Sequence, residues 1–239
     1  AYAGPIIGKM DVALIETAHI MRVLDPVWHT KAETASRLRG RVEAILDWAT
    51  VHRYRTGDNP ARWKGHLEAL LPARSKVSKA KHFAALPWRD MKPFMAELRK
   101  QNGIGALALQ FTILTAARSG EVRGMEWYEV DFEQRLWTVP GERMKAGREH
   151  RVPLSNAAVE LLEQLKAVKL ADTETVFPSV RDHKPLSDMT LTAVLRRMQR
   201  GDITVHGFRS SFRDWAAEAT EFPQEMAEMA LAHIVGNKV

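Results

Sequence analysis

Arg118, within Ala116-Ala117-Arg118-Ser119-Gly120-Glu121, and His206-Gly207-Phe208-Arg209, about ninety residues further on, are two cationic clusters with the chemistry of an anion site. Positions three apart on a helix share a face, so the His206 imidazole and the Arg209 guanidinium can address one phosphate. His233 follows close to the end of the chain. Neither string offers an obvious serine, cysteine or carboxylate nucleophile. The pattern is much of a phosphoryl-transfer site without its attacking group.

Each cluster needs a rigid support. The run from Ala106 to Ala117 is apolar on nearly every side and reads as a buried central helix, with Arg118 emerging at its end. Taken alone, Arg118 also reads as a surface partner of Glu121. A helix from about Gly207 to Thr220 would carry Arg209, and another from Pro223 would end at His233. Between them in sequence, Val130-Asp131-Phe132, Leu136-Trp137-Thr138-Val139 and Arg151-Val152-Pro153-Leu154 read as three short antiparallel strands. The second connection, Met144-Lys145-Ala146-Gly147-Arg148, puts Lys145 at a polar tip. Ser155 is placed to cap a helix bearing Leu161, Leu162 and Leu165, and Ser187 or Asp188 one bearing Leu191, Val194 and Leu195. Trp127, Trp137 and Trp215 occupy apolar positions and are expected in the core.

Ahead of this lies a small all-α region. A helix is expected from Ala13 to Leu24, stopped by Asp25-Pro26. A second starts near Thr30 with capping-box spacing to Glu33 and aligns Leu38, Val42, Ile45 and Ala49. After the turn Gly57-Asp58-Asn59-Pro60, a third carries Leu67, Leu70 and Leu71 up to Pro72. The stretch holding Arg74, Lys76, Lys79 and Lys81 without an acid reads either as a solvated linker or as one lying along a phosphate backbone.

The chain has 239 residues, enough for two domains with real cores, and 45% hydrophobic with 27% charged residues argues against disorder. An excess of 35 Lys and Arg over 29 Asp and Glu favours a polyanionic partner. The absence of cysteine excludes disulfides and thiolate metal sites, and the nine histidines lack ligand spacing, so no metal or other cofactor is expected. No secretion signal or membrane span is visible, and a cytoplasmic protein is expected. The opening without Met suggests a piece of a longer protein.

Thr115-Ala116-Ala117-Arg118-Ser119-Gly120-Glu121-Val122, Met144-Lys145 followed by His150-Arg151-Val152-Pro153-Leu154, His206-Gly207-Phe208-Arg209 and Leu231-Ala232-His233 together resemble the tyrosine recombinases, most closely the integrases of P4-type prophages and genomic islands. The resemblance runs through nearly the whole chain. It implies a mainly α fold with a small antiparallel β-sheet: a helical core-type DNA-binding domain (1–73), a basic linker (74–85) carrying the DNA-binding Arg74, Lys76, Lys79 and Lys81, and an α+β catalytic domain (86–239). It implies that Arg118 and Arg209 grip the nonbridging oxygens of a scissile phosphate in double-stranded DNA. Lys145 would be the general acid, His206 would assist proton transfer or hold the phosphate, His233 would hydrogen-bond the phosphate, and Glu121 would buttress the site. Neither metal nor nucleotide is required, because the guanidiniums neutralise the developing charge and a covalent ester conserves the bond energy. The family's nucleophilic tyrosine, which follows the last histidine, has no counterpart before Val239, and Tyr2, Tyr54 and Tyr128 lie outside that context. The implied activity is integration and excision of a mobile element by a homotetramer at synapsis, with an accessory directionality factor. A DNA-binding fragment without catalysis and a type IB topoisomerase are the alternatives.

Overall fold

The computed structural model describes residues 2–77, 84–168 and 173–233. The chain divides into two compact units, Ala1–His82 and Phe83–Val239.

The first unit is helical: α1 (Gly4–Ile7), α2 (Thr17–Trp28), α3 (Ala32–Val51) and α4 (Arg74–Val77). Asp25-Pro26 does not stop α2, which runs through Pro26 to Trp28. Val27 and Trp28 complete its buried face, and the Trp28 indole donates to the Pro72 carbonyl at 2.9 Å, so packing outweighs the missing main-chain donor. Thr30 does not cap α3; Lys31 occupies that position, and the Thr30 hydroxyl turns back to the Pro26 carbonyl. The buried stripe of α3 is Ala35, Val42, Leu46 and Ala49, leaving Ile45 61% exposed, one residue off the stripe. The expected third helix is a single 3-10 turn, Leu67–Ala69, that buries Leu67 and Leu71 and leaves Leu70 outside. Buried Asn59 docks the preceding turn on α3, its amide donating to the Glu43 carbonyl and the Asp47 carboxylate at 2.8 and 2.6 Å. Arg74 and Lys76 belong to α4, and Arg74 is ion-paired with Glu33. Lys79 and Lys81 fall outside the described residues.

The second unit wraps α6 (Ile104–Thr115), as its all-round apolar sequence requires, with α5 (Met91–Leu98), α8 (Asn156–Ala167) and α9 (Thr190–Arg197) packed against it. After α6 come α7 (Ser119–Arg123) and a sheet of β1 (Val130–Asp131), β2 (Leu136–Val139) and β3 (His150–Pro153), antiparallel in that order. Trp137 pairs with Val130 on one side and Val152 on the other, and Val139 pairs with His150. Ser155 caps α8 as expected, accepting from the Ala158 amide. Neither Ser187 nor Asp188 caps α9: the Ser187 hydroxyl meets that of Thr190, and Asp188 is ion-paired with Arg123. Trp137 is fully buried and Trp127 packs on the core, but Trp215 is 38% exposed. The mainly helical fold with one small sheet is the expected one. No helix among the described residues is long and apolar enough to cross a membrane.

The last two helices, α10 (Gly207–Ala219) and α11 (Gln224–Ala230), complete the unit. Residues 84–86 run over the start of α10: the Thr204 amide donates to the Ala84 carbonyl, and the Ser211 hydroxyl to that of Leu86. A Cβ at Gly207 would lie 2.2 Å from the Ala84 oxygen, so only glycine permits this crossing. Pro223 precedes α11 as its N-cap. The helix ends in a Schellman turn, with the His233 amide donating to the Glu228 carbonyl, the Ala232 amide to that of Met229, and Ala232 left-handed at φ 48°.

Candidate active site

Arg118 stands at the N-cap of α7, where its side chain is fixed by the helix it precedes. The Glu121 carboxylate accepts from the Arg118 amide at 2.9 Å and from Nη1 at 2.7 Å. Glu121 is buried, so this carboxylate is a rigid bracket rather than a surface partner. Arg118 Nη2 reaches the Ala232 carbonyl at 3.4 Å.

Arg209, in the first turn of α10, is 5% exposed. Its Nη1 donates to the Ala116 carbonyl and its Nη2 to the Leu231 carbonyl, both at 2.5 Å, and Nη2 lies 3.3 Å from His233 Nε2. Ala116 and Ala232 are both left-handed, at φ 51° and 48°, an uncommon state for alanine. Each therefore ends its helix with a carbonyl turned to one of the two arginines. The carbonyls that helices α6 and α11 leave unpaired at their C-termini are taken up by the site's own cations.

His206 is the N-cap of α10, in the field of Arg209, Arg118 and His233. Desolvation first, and those cations next, hold its imidazole below the usual range. Burial and the Arg118 guanidinium pull Arg209 down to about 10, against the opposing pull of Glu121 and Glu228. Such repulsion is relieved by an anion. On β3, half-buried His150 faces the same group; burial lowers it, against Glu121 and the Ala230 carbonyl, which favour its charged form. His233 Nδ1 is 2.5 Å from Glu228, whose other oxygen is 2.8 Å from Arg213 Nε.

Thus Arg118, Glu121, His206, Arg209 and His233 come together. Lys145 does not: it is exposed on the turn closed by Gly147 at φ 66° and makes no hydrogen bond or ion pair among the described residues. Its hairpin is pinned nonetheless by Arg143, which donates through Nη1 to the Glu121 carbonyl at 2.9 Å and through Nη2 to the buried Glu129 carboxylate at 2.5 Å. Sequence reasoning passed over His150, Glu228 and Arg143. The His150 string carried a hint of position; Glu228, five residues before His233, and Arg143 look in sequence like ordinary surface charges. No group of histidines and acids among the described residues has an arrangement that would hold a metal ion.

The sequence signature described as "Phage integrase family" matches residues 86–238, the whole stretch that builds this cluster. The chain belongs to the phage integrase family. The signature of the phage integrase central domain matches residues 1–66. The integrase of Enterobacteria phage P4 is 32% identical over 100% of this chain and 56% of its own length, and prophage integrase IntZ of Escherichia coli (strain K12) is 31% identical over 96% and 56%. The chain therefore spans about half the length of these curated relatives. Among solved structures, a lambda integrase tetramer bound to a Holliday junction superposes with a TM-score of 0.67 at 19% identity, covering 95% of this chain and 66% of that one. The Tn1549 transposon integrase in complex with circular intermediate DNA gives 0.68 at 12% identity, covering 95% and 80%. At these identities the structures show a shared fold. Membership of the phage integrase family agrees with the resemblance carried by the four sequence strings.

Proposed function

We propose that this chain is the DNA-binding and phosphate-holding part of a site-specific DNA recombinase, which in a longer form cleaves and rejoins strands through a 3′-phosphotyrosyl ester to integrate or excise a mobile element. The observation that carries the reading is the convergence of Arg118, Arg209, His206 and His233, from the ends of α6, α10 and α11, on one point of the second unit. Two fixed guanidiniums and two imidazoles suit the nonbridging oxygens of a phosphodiester. Lys145, on its exposed hairpin, would close on bound DNA as general acid for the departing 5′ oxygen. Residues 1–73 would act as the core-type DNA-binding domain, with Arg74 and Lys76, and Lys79 and Lys81 beyond them, along the backbone. Double-stranded attachment-site DNA, a homotetramer at synapsis and an accessory directionality factor are the proposed partners, in the bacterial cytoplasm.

For residues 1–239 alone we propose binding without cleavage. Tyr128, the only tyrosine of the second unit, is 72% exposed, and desolvation together with Glu129 and Glu126 holds its hydroxyl above the usual phenol range. That environment disfavours a phenolate nucleophile. The test is a nicked core-site substrate. A version extended to the relatives' full length should trap a covalent adduct that Arg118→Ala abolishes, while residues 1–239 should bind duplex DNA with strong salt dependence and trap none. An extended protein that traps no adduct, or one indifferent to Arg118→Ala, would overturn the recombinase reading.

A further inference from the structure

Helix α11 supplies Glu228, and the Schellman turn that ends it brings His233 back onto that acid. Glu228 Oε2 lies 2.5 Å from His233 Nδ1, and its Oε1 lies 2.8 Å from Nε of Arg213, one turn after Arg209 on α10. His233 Nε2 in turn lies 3.3 Å from Arg209 Nη2. These contacts form one chain, Arg213 to Glu228 to His233 to Arg209. A carboxylate can only accept, so the proton between Glu228 and the ring belongs to Nδ1. Nε2 is then the nitrogen left to face the arginine and whatever anion that arginine holds.

We propose that Glu228 is the positioning residue of His233, fixing the ring proton on Nδ1 and aiming Nε2 into the phosphate site, and that Arg213 holds Glu228 in place. The inference rests on the reading of His233 as a phosphate-binding residue. A carboxylate behind a functional imidazole fixes both tautomer and ring orientation, and at metal-binding histidines loss of such a partner costs about 10–100-fold. Arg213 binds from the helix that carries Arg209, so one rigid element sets the guanidinium and, through Glu228, the imidazole.

The direct test is ring-nitrogen NMR of histidine-labelled residues 1–239, with the His233 signals assigned by their loss in His233→Gln. In the parent chain the neutral ring should carry its proton on Nδ1. In Glu228→Ala, with helicity unchanged, it should spread over both nitrogens, and Arg213→Met should produce a smaller shift in the same direction. In the extended protein, Glu228→Ala should slow adduct formation on the nicked substrate at least about tenfold with DNA affinity within about twofold, and Glu228→Asp should recover part of the rate. An unchanged tautomer in Glu228→Ala would overturn the proposal, as would a full rate in the extended variant. A parent that forms no adduct overturns the recombinase reading alone, because the tautomer decides the role of Glu228 by itself.

Discussion

The buried guanidinium of Arg209 donates to the main-chain carbonyl of Leu231 at 2.5 Å, tying the first turn of α10 to the last turn of α11. Its other terminal nitrogen holds the Ala116 carbonyl at the end of α6. The residue proposed to grip phosphate is therefore also the staple between three helices.

Arg209→Lys should separate these two roles poorly, since one ammonium cannot serve two carbonyls in a planar fork. One carbonyl is left buried and unpaired, and a loss of about 2 kcal/mol in unfolding free energy is expected from urea denaturation. A variant as stable as the parent would show that the fork has no structural role.

Gly207→Ala tests the crossing of residues 84–86 over α10. The added carbon would stand 2.2 Å from the Ala84 oxygen and 2.9 Å from its carbon, both main-chain atoms without a free rotamer. A destabilisation of about 1–3 kcal/mol is expected, with weaker DNA binding as His206 and Arg209 shift. Full stability with unchanged affinity would contradict the geometry.

Arg143→Met removes the arginine paired with the buried Glu129, which also accepts from the Trp137 indole at 2.9 Å. Desolvation already raises the Glu129 carboxyl above its usual range, and loss of the counter-charge leaves it uncompensated. About 3 kcal/mol should be lost at neutral pH. Lowering the pH should recover part of it, as the carboxyl protonates; an equal loss at every pH would argue against the charge pair.

His206 and His150 are both held below their usual range, so the unfolded chain binds more protons than the folded one just below pH ~6.5. Stability should therefore rise with pH up to about 6.5 and flatten above it. The groups facing His206 are Arg209, Arg118 and His233; those facing His150 are Glu121, the Ala230 carbonyl, Arg118 and Arg209. In His206→Gln the slope between about pH 5.5 and 7.5 should be shallower than in the parent, by urea midpoints at each pH. An identical slope would remove His206 from the linkage. Bound phosphodiester should reverse the trend for affinity, which is expected to strengthen as the imidazoles protonate.

The apolar run that became α6, the three-strand alternation, the Ser155 cap and the four strings that carry family membership all rest on local pattern, and local pattern is what a sequence states directly. So is the choice of Arg118, His206, Arg209 and His233, whose residue types suit an anion. Tertiary packing decided the rest. Pro26 stays within α2 because Trp28 is needed in the core, Ile45 faces outward because the buried stripe passes through Leu46, and Arg74 is drawn to Glu33 on α3. Above all, Glu228 and Arg143 gain their meaning from partners distant along the chain or set by a helix end: a left-handed Ala232 turns His233 back onto Glu228, and the β2–β3 connection carries Arg143 to Glu121 and Glu129. Sequence fixes which charges exist, but the distances that turn them into brackets arise only when several helices share one core.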